Sequence, residues 1–144
     1  MAYEPLLDAK AVSDYLDEIF PQVNAAGRHY FVDAIEPGIA RMRLEAGDMH
    51  LRPGGTISGP AMFTLADYAA YSVILGHIGP VGLAVTTNLN INFLRKPEPG
   101  TLFAEGRLIK LGKRLAVVDI SVHTGDLHEL VAHATATYSI PPKN

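Results

Sequence analysis

The chain is expected to be an α+β protein in which an antiparallel sheet wraps one enclosed helix, and three observations predict it. Residues 61–75 are apolar on nearly every side, through Ala61, Met62, Phe63, Leu65, Ala66, Ala69, Ala70, Val73, Ile74 and Leu75. A helix without a polar face has to be enclosed on most sides. Four strand-like runs follow, at 83–93, 101–111, 115–124 and 129–140. Only turn signals separate them: Pro97-Glu98-Pro99-Gly100, Gly112-Lys113-Arg114 and Gly125-Asp126. Strands spaced in this way without intervening helices read as an antiparallel meander.

Each element has its own local cause. In 8–20, Val12, Tyr15, Leu16, Ile19 and Phe20 recur at helical spacing, Asp8 is suited to cap the first turn, and Pro21 stops the helix. Residues 30–35 and 39–44 form two short strands about the Glu36-Pro37-Gly38 turn, and the second alternates Ala40, Met42 and Leu44 with Arg41, Arg43 and Glu45. Residues 47–56 are loop, rich in Gly, Pro and charge. Ser58 is the expected N-cap of the long helix. Pro60 suits its first turn, where a missing N–H costs nothing, and the helix should end between Gly76 and Gly79. Strand 83–93 should turn Val85, Thr87, Leu89, Ile91 and Phe93 to the core, and Thr86, Asn88, Asn90 and Asn92 the other way. Asparagine is disfavoured in strands, so three at alternate positions imply a polar interface between subunits or part of a site.

Composition bounds the function. A chain of 144 residues, 48% hydrophobic and 19% charged, is expected to form a single domain over 1–144. A net charge of −3 and a pI near 6.0 argue against nucleic-acid binding. The absence of cysteine excludes disulfides, thiolate metal sites and cysteine nucleophiles. The N-terminal stretch carries acid early and no basic run, unlike a secretory leader. Thr64, Asp67 and His77 interrupt 61–78, so it reads as a core helix rather than a membrane span, and a cytoplasmic location is expected. No His-Glu-x-x-His or close histidine pair is present; His123 and His133, on neighbouring strands, are the nearest approach to a metal site, and no metal is expected. Neither a Gly-x-Ser-x-Gly elbow nor a phosphate loop occurs.

Segment 52–67, Arg-Pro-Gly-Gly-Thr-Ile-Ser-Gly-Pro-Ala-Met-Phe-Thr-Leu-Ala-Asp, is the most informative. A glycine-rich loop runs into a helix start, which offers backbone N–H groups to negative charge. Further along stands a single carboxylate, Asp67, in apolar company that is costly for an acid without a partner or a use. The combination implies a site that polarises a carbonyl and activates water. As sequence alone has it, Asp67 could also be a structural acid, Gly59 a permissive helix start and Ser58 a simple cap.

On these residues the sequence resembles the hotdog-fold thioesterases, in particular the branch of the phenylacetate-pathway acyl-CoA thioesterases. The resemblance spans nearly the whole chain: the enclosed helix, Leu65-Ala66-Asp67, and the late run Ala-His-Ala-Thr-Ala-Thr-Tyr at 132–138. In that family a His-Gly-Gly triplet opens the helix, with an acid nine residues after the histidine. Here the matching positions are Ser58, Gly59, Pro60 and Asp67, Gly55 matches an upstream glycine, and Arg52 stands at a frequent asparagine position. The resemblance implies a hotdog fold, an antiparallel sheet around a long central helix. It also implies hydrolysis of an acyl-CoA thioester to free acid and CoA. Gly59 N–H would bind the thioester oxygen, Asp67 would act as general base or nucleophile, and Thr86 would help hold water. No cofactor is implied, CoA being part of the substrate.

Gly59 and Asp67 lie eight residues apart, about 12 Å along one helix at roughly 1.5 Å per residue. One carbonyl cannot touch both, so such a site has to be shared between two copies. A homodimer is expected, and a homotetramer through the asparagine face. Substrate contacts are expected from Arg52, Gly55, Ser58, Tyr71 and Asn88, and phosphate contacts from Arg95, Lys96, Lys113 and Arg114 at strand ends and turns. Because Ser58 and Arg52 replace two common polar groups, a non-catalytic acyl-CoA binding or sensing protein is the alternative reading.

Overall fold

The computed structural model describes residues 3–142. Its elements run α1 (Ala9–Ile19), a 3-10 turn (Pro21–Asn24), β1 (Tyr30–Glu36), β2 (Ile39–Glu45), a second 3-10 turn (Asp48–His50), α2 (Gly59–Ile78), β3 (Val85–Phe93), β4 (Thr101–Leu111), β5 (Leu115–His123) and β6 (Ala132–Ser139). Both helices begin where a short polar side chain takes up a free amide: Asp8 accepts from Ala11 N–H at 2.8 Å and Ser58 from Ala61 N–H at 3.2 Å. No helix among the described residues is long and apolar enough to cross a membrane.

All six strands are antiparallel, in the order β1-β2-β4-β5-β6-β3. This corrects the expected meander, because β3 pairs with β6 and not with β4. The reason is the helix between β2 and β3. With 20 residues α2 is about 30 Å long and touches every strand, so it carries the chain across the whole sheet and sets β3 at the far edge. β4 then returns to the place beside β2.

The helix seats closely because the sheet presents small residues to it. Ala40, Ala104, Ala116, Ala132, Ala134 and Ala136 are buried on the inner face. At Gly106 a Cβ would lie 3.0 Å from the Ala69 carbonyl oxygen, tighter than most packed contacts, so helix or strand would have to shift to admit it. Enclosure is complete except along one stripe of α2. Pro60, Phe63, Thr64, Asp67 and Tyr68 are not buried, and their spacing places them on one helix face.

β3 departs from simple alternation. A bulge at Thr87 sets Thr86 opposite Tyr138 and Asn88 opposite Thr137. Thr86 therefore shares the inner face with Leu89 and Ile91, while Thr87 is exposed and donates to the Thr137 carbonyl at 3.1 Å. The expected assignment of Val85 and Thr87 to the core and Thr86 to the outside is thus reversed, since an inserted residue resets the period of two. Val85 and Phe93, at 55% and 50% exposure, stay open because β3 is an edge strand.

Candidate active site

Asp67 stands on the open stripe of α2, and residues from two adjacent strands reach it. Its Oδ1 accepts from Thr86 Oγ1 at 2.8 Å and from the Tyr138 hydroxyl at 2.6 Å. The same hydroxyl lies 3.1 Å from the Asp67 backbone carbonyl. No donor among the described residues reaches Oδ2. Burial, followed by the charge of Asp67, drives the Tyr138 hydroxyl well above the ordinary tyrosine range, so it stays protonated as a donor.

Sequence reasoning missed Tyr138. A signal for it exists at 132–138, where Ala132, Ala134 and Ala136 establish the inner parity and Tyr138 continues it. A tyrosine at a buried position needs a partner for its hydroxyl, and the unpaired acid in the chain was Asp67.

Asp67, Thr86 and Tyr138 open onto a cleft of about 610 Å³. Tyr15, Ile19 and Phe20 form one wall, Tyr68 and Tyr71 another, and Leu83 to Val85 a third. Tyr71 donates to the Gly82 carbonyl at 2.6 Å and Gly82 N–H donates to the Tyr15 hydroxyl at 2.9 Å. Both hydroxyls thus engage the backbone of one residue, Gly82, on the cleft wall. The Tyr71 ring also stacks on Tyr138, with centroids 5.8 Å apart. Tyr68 has its hydroxyl pushed up to about 12, first by burial and then by Tyr30 and Asp67.

A second group gathers at the N-terminus of α2. Gly59 N–H has no acceptor among the described residues, and it sits where the aligned peptide dipoles leave partial positive charge. Gly55 N–H is already committed to the Arg52 carbonyl at 2.9 Å, and Arg52 N–H to the Thr56 carbonyl at 2.9 Å, leaving the Arg52 side chain exposed. Ile57 N–H donates to the Pro97 carbonyl at 2.9 Å, which brings Arg95 and Lys96 to this end. Arg95 lies 3.6 Å from Glu129 in an exposed ion pair. The Phe93 ring is so close that a Cβ on Gly59 would sit 3.3 Å from its Cζ.

Sequence-expected residues thus fall into separate places. Asp67, Tyr71 and Thr86 meet at the cleft, whereas Arg52, Gly55, Ser58, Gly59, Arg95 and Lys96 belong to the other end of α2. Lys113 and Arg114 occupy the β4–β5 turn, at the sheet end where Leu115, Ser139 and Val85 lie side by side. Asn88 faces out from the sheet, away from the cleft. His133 and His123 have different partners, Asp119 at 2.6 Å and Gly125 N–H at 3.0 Å respectively.

Helix α2 thus carries two separate polar features, a carboxylate held by two hydroxyls and open to a cleft, and a free amide at its N-terminus. Residues 54–131 match the model of the thioesterase superfamily. The chain belongs to the thioesterase superfamily. Its fold is the hotdog arrangement that the resemblance implied. A solved structure of a candidate thioesterase from Silicibacter sp. is 47% identical, with a TM-score of 0.85 over 96% of this chain and 95% of that one. A Streptococcus mutans protein bound to acetyl CoA is 30% identical, with a TM-score of 0.70 over 81% of this chain and 92% of its own. A variant of the phenylacetic acid degradation protein PaaI from Thermus thermophilus is 26% identical, with a TM-score of 0.72 over 84% and 99% of the two chains. Within this thioesterase-superfamily chain the matched segment includes Gly55, Ser58, Gly59, Asp67 and Thr86, while Tyr138 and the α1 wall of the cleft lie outside it.

Proposed function

We propose that this protein hydrolyses acyl-CoA thioesters to a free acid and CoA, in sites shared between two copies of the chain. One observation carries the reading: the carboxylate and the free amide are tied to opposite ends of the same edge strand. Thr86, near the start of β3, donates to Asp67, and Phe93, at its end, lies against Gly59. An edge strand has unpaired backbone groups along one side. If β3 pairs with its own copy about a two-fold axis at mid-strand, antiparallel geometry sets position 86 of one copy near positions 92 and 93 of the other. Asp67 of each copy then faces Gly59 of the second.

In that arrangement the Gly59 amide receives the thioester oxygen and gains strength as negative charge develops on it. Asp67 activates water, or attacks the carbonyl carbon itself. The cations Arg52, Arg95 and Lys96 beside the amide, and Lys113 and Arg114 at the cleft end, provide positive charge for CoA phosphates. The acetyl CoA found on the Streptococcus mutans relative supports a CoA ester as ligand. The reaction asks for no cofactor beyond the CoA that the substrate brings.

Thiol release from a panel of acyl-CoA esters tests the activity. Asp67→Asn is expected to lower kcat by about 10²- to 10⁴-fold while melting within a few degrees of the parent. Hydrolysis by the variant at the parental rate would remove Asp67 from the mechanism. Tight binding of CoA esters without turnover by the parent would replace hydrolysis with the acyl-CoA binding alternative.

A further inference from the structure

We infer that Tyr138 is a positioning residue for this reaction: with Thr86 it commits Oδ1 of Asp67, so that Oδ2 is the oxygen that reacts. The inference rests on the hydrolytic reading above and assigns within it the reacting atom and a residue that holds it.

Thr86 and Tyr138 face each other directly across the β3–β6 pair. Their two hydroxyls, donated from rigid neighbouring strands, converge on Oδ1 at 2.8 and 2.6 Å. Tyr138 is 2% exposed and stacked on Tyr71, so its ring has little room to swing. Its hydroxyl also lies 3.1 Å from the Asp67 main-chain oxygen. A phenol has one proton to give, and the shorter contact shows it directed to the carboxylate. Tyr138 therefore holds the side chain of Asp67 through Oδ1. The bulge at Thr87 matters here, since it puts Thr86 on the same face as Leu89 and Ile91. Oδ2 has no such partner and belongs to a side chain lining the cleft.

The chemistry then runs through one atom. In the general-base route Oδ2 takes a proton from water as the water oxygen bonds to the carbonyl carbon. The carbonyl electron pair moves onto the oxygen, then returns as the C–S bond breaks, and the departing thiolate takes up the proton. In the nucleophilic route Oδ2 bonds to the carbon, the thiolate leaves, and water cleaves the resulting anhydride.

The test is kcat and KM for acyl-CoA hydrolysis by Tyr138→Phe, Thr86→Ala and Thr86→Ser, with Asp67→Asn as reference. Tyr138→Phe should lower kcat by about 10- to 100-fold with KM within about threefold. Thr86→Ala should lower kcat in the same way, and Thr86→Ser, which keeps the hydroxyl, should restore it. If Asp67→Asn is inactive while Tyr138→Phe keeps the parental kcat, this inference fails and the hydrolytic reading stands. Full activity of Asp67→Asn overturns both. Should Tyr138→Phe fail to fold, the two Thr86 variants decide, and a parental kcat in Thr86→Ala overturns the assignment.

Discussion

The two oxygens of one carboxylate have unequal surroundings in this protein, and a second polar side chain shows the same economy of partners. His50 is 8% exposed, with its ring edge-on to His29 and Tyr30. Its Nδ1 accepts from Gly47 N–H at 2.9 Å, and its carbonyl accepts from Ser58 N–H at 2.7 Å, which ties it to the start of α2. Burial first, and then His29, holds the imidazole below its usual range. A depressed histidine binds its proton more readily in the unfolded chain. Its contribution to stability is therefore fully present above about pH 6.5 and falls away as the pH drops through the folded value. The urea midpoint should decline between pH 7 and pH 5, and His50→Asn should flatten part of that slope. Some slope should remain through His123, which burial also pushes down. A slope that His50→Asn leaves unchanged would remove His50 from the effect.

Helix α2 and the sheet meet closely enough for single methyl groups to matter. Gly106, on β4, has the Ala69 carbonyl oxygen 3.0 Å from where a Cβ would be. Gly106→Val should destabilise the protein by about 1–3 kcal/mol, because neither the helix backbone nor the strand can give way cheaply. Denaturant unfolding followed by far-UV circular dichroism measures this, and an unchanged midpoint would mean that α2 seats further from the sheet. Most element boundaries were legible in the sequence because caps, prolines and turn glycines act locally: Asp8, Ser58, Gly38 and Gly112 stand where the structure uses them. The face of β3 was not. A bulge depends on what the neighbouring strand needs opposite Thr86, and no local residue at 85–88 announces it.

Across the whole molecule, the shared-site proposal makes a stoichiometric demand. Asp67→Asn and Gly59→Val should each be inactive alone, the latter because its side chain would crowd Phe93 and cover the amide. In a mixed dimer one of the two sites combines an intact Gly59 with an intact Asp67. Co-expression in equal amounts should therefore restore about a quarter of parental activity, since half the dimers are mixed and each has one working site. Thiol release from the purified mixture measures it. No recovery, or a protein that sediments as a monomer while turning over, would refute sharing between copies.

The sequence by itself determined the class of the fold and its helix limits, and it singled out Gly59 and Asp67 as the candidates for the proposed site, because propensity, capping and an acid in apolar company are properties of neighbours along the chain. Even their separation was readable, since a helix has a fixed rise. Only the tertiary structure decided that β3 lies at the far edge, that Thr86 turns inward, and that Tyr138, 71 residues beyond Asp67, holds its carboxylate. Those outcomes depend on which strand comes to rest beside which, and that is settled by how a 30 Å helix crosses the sheet (about 1.5 Å for each of its 20 residues).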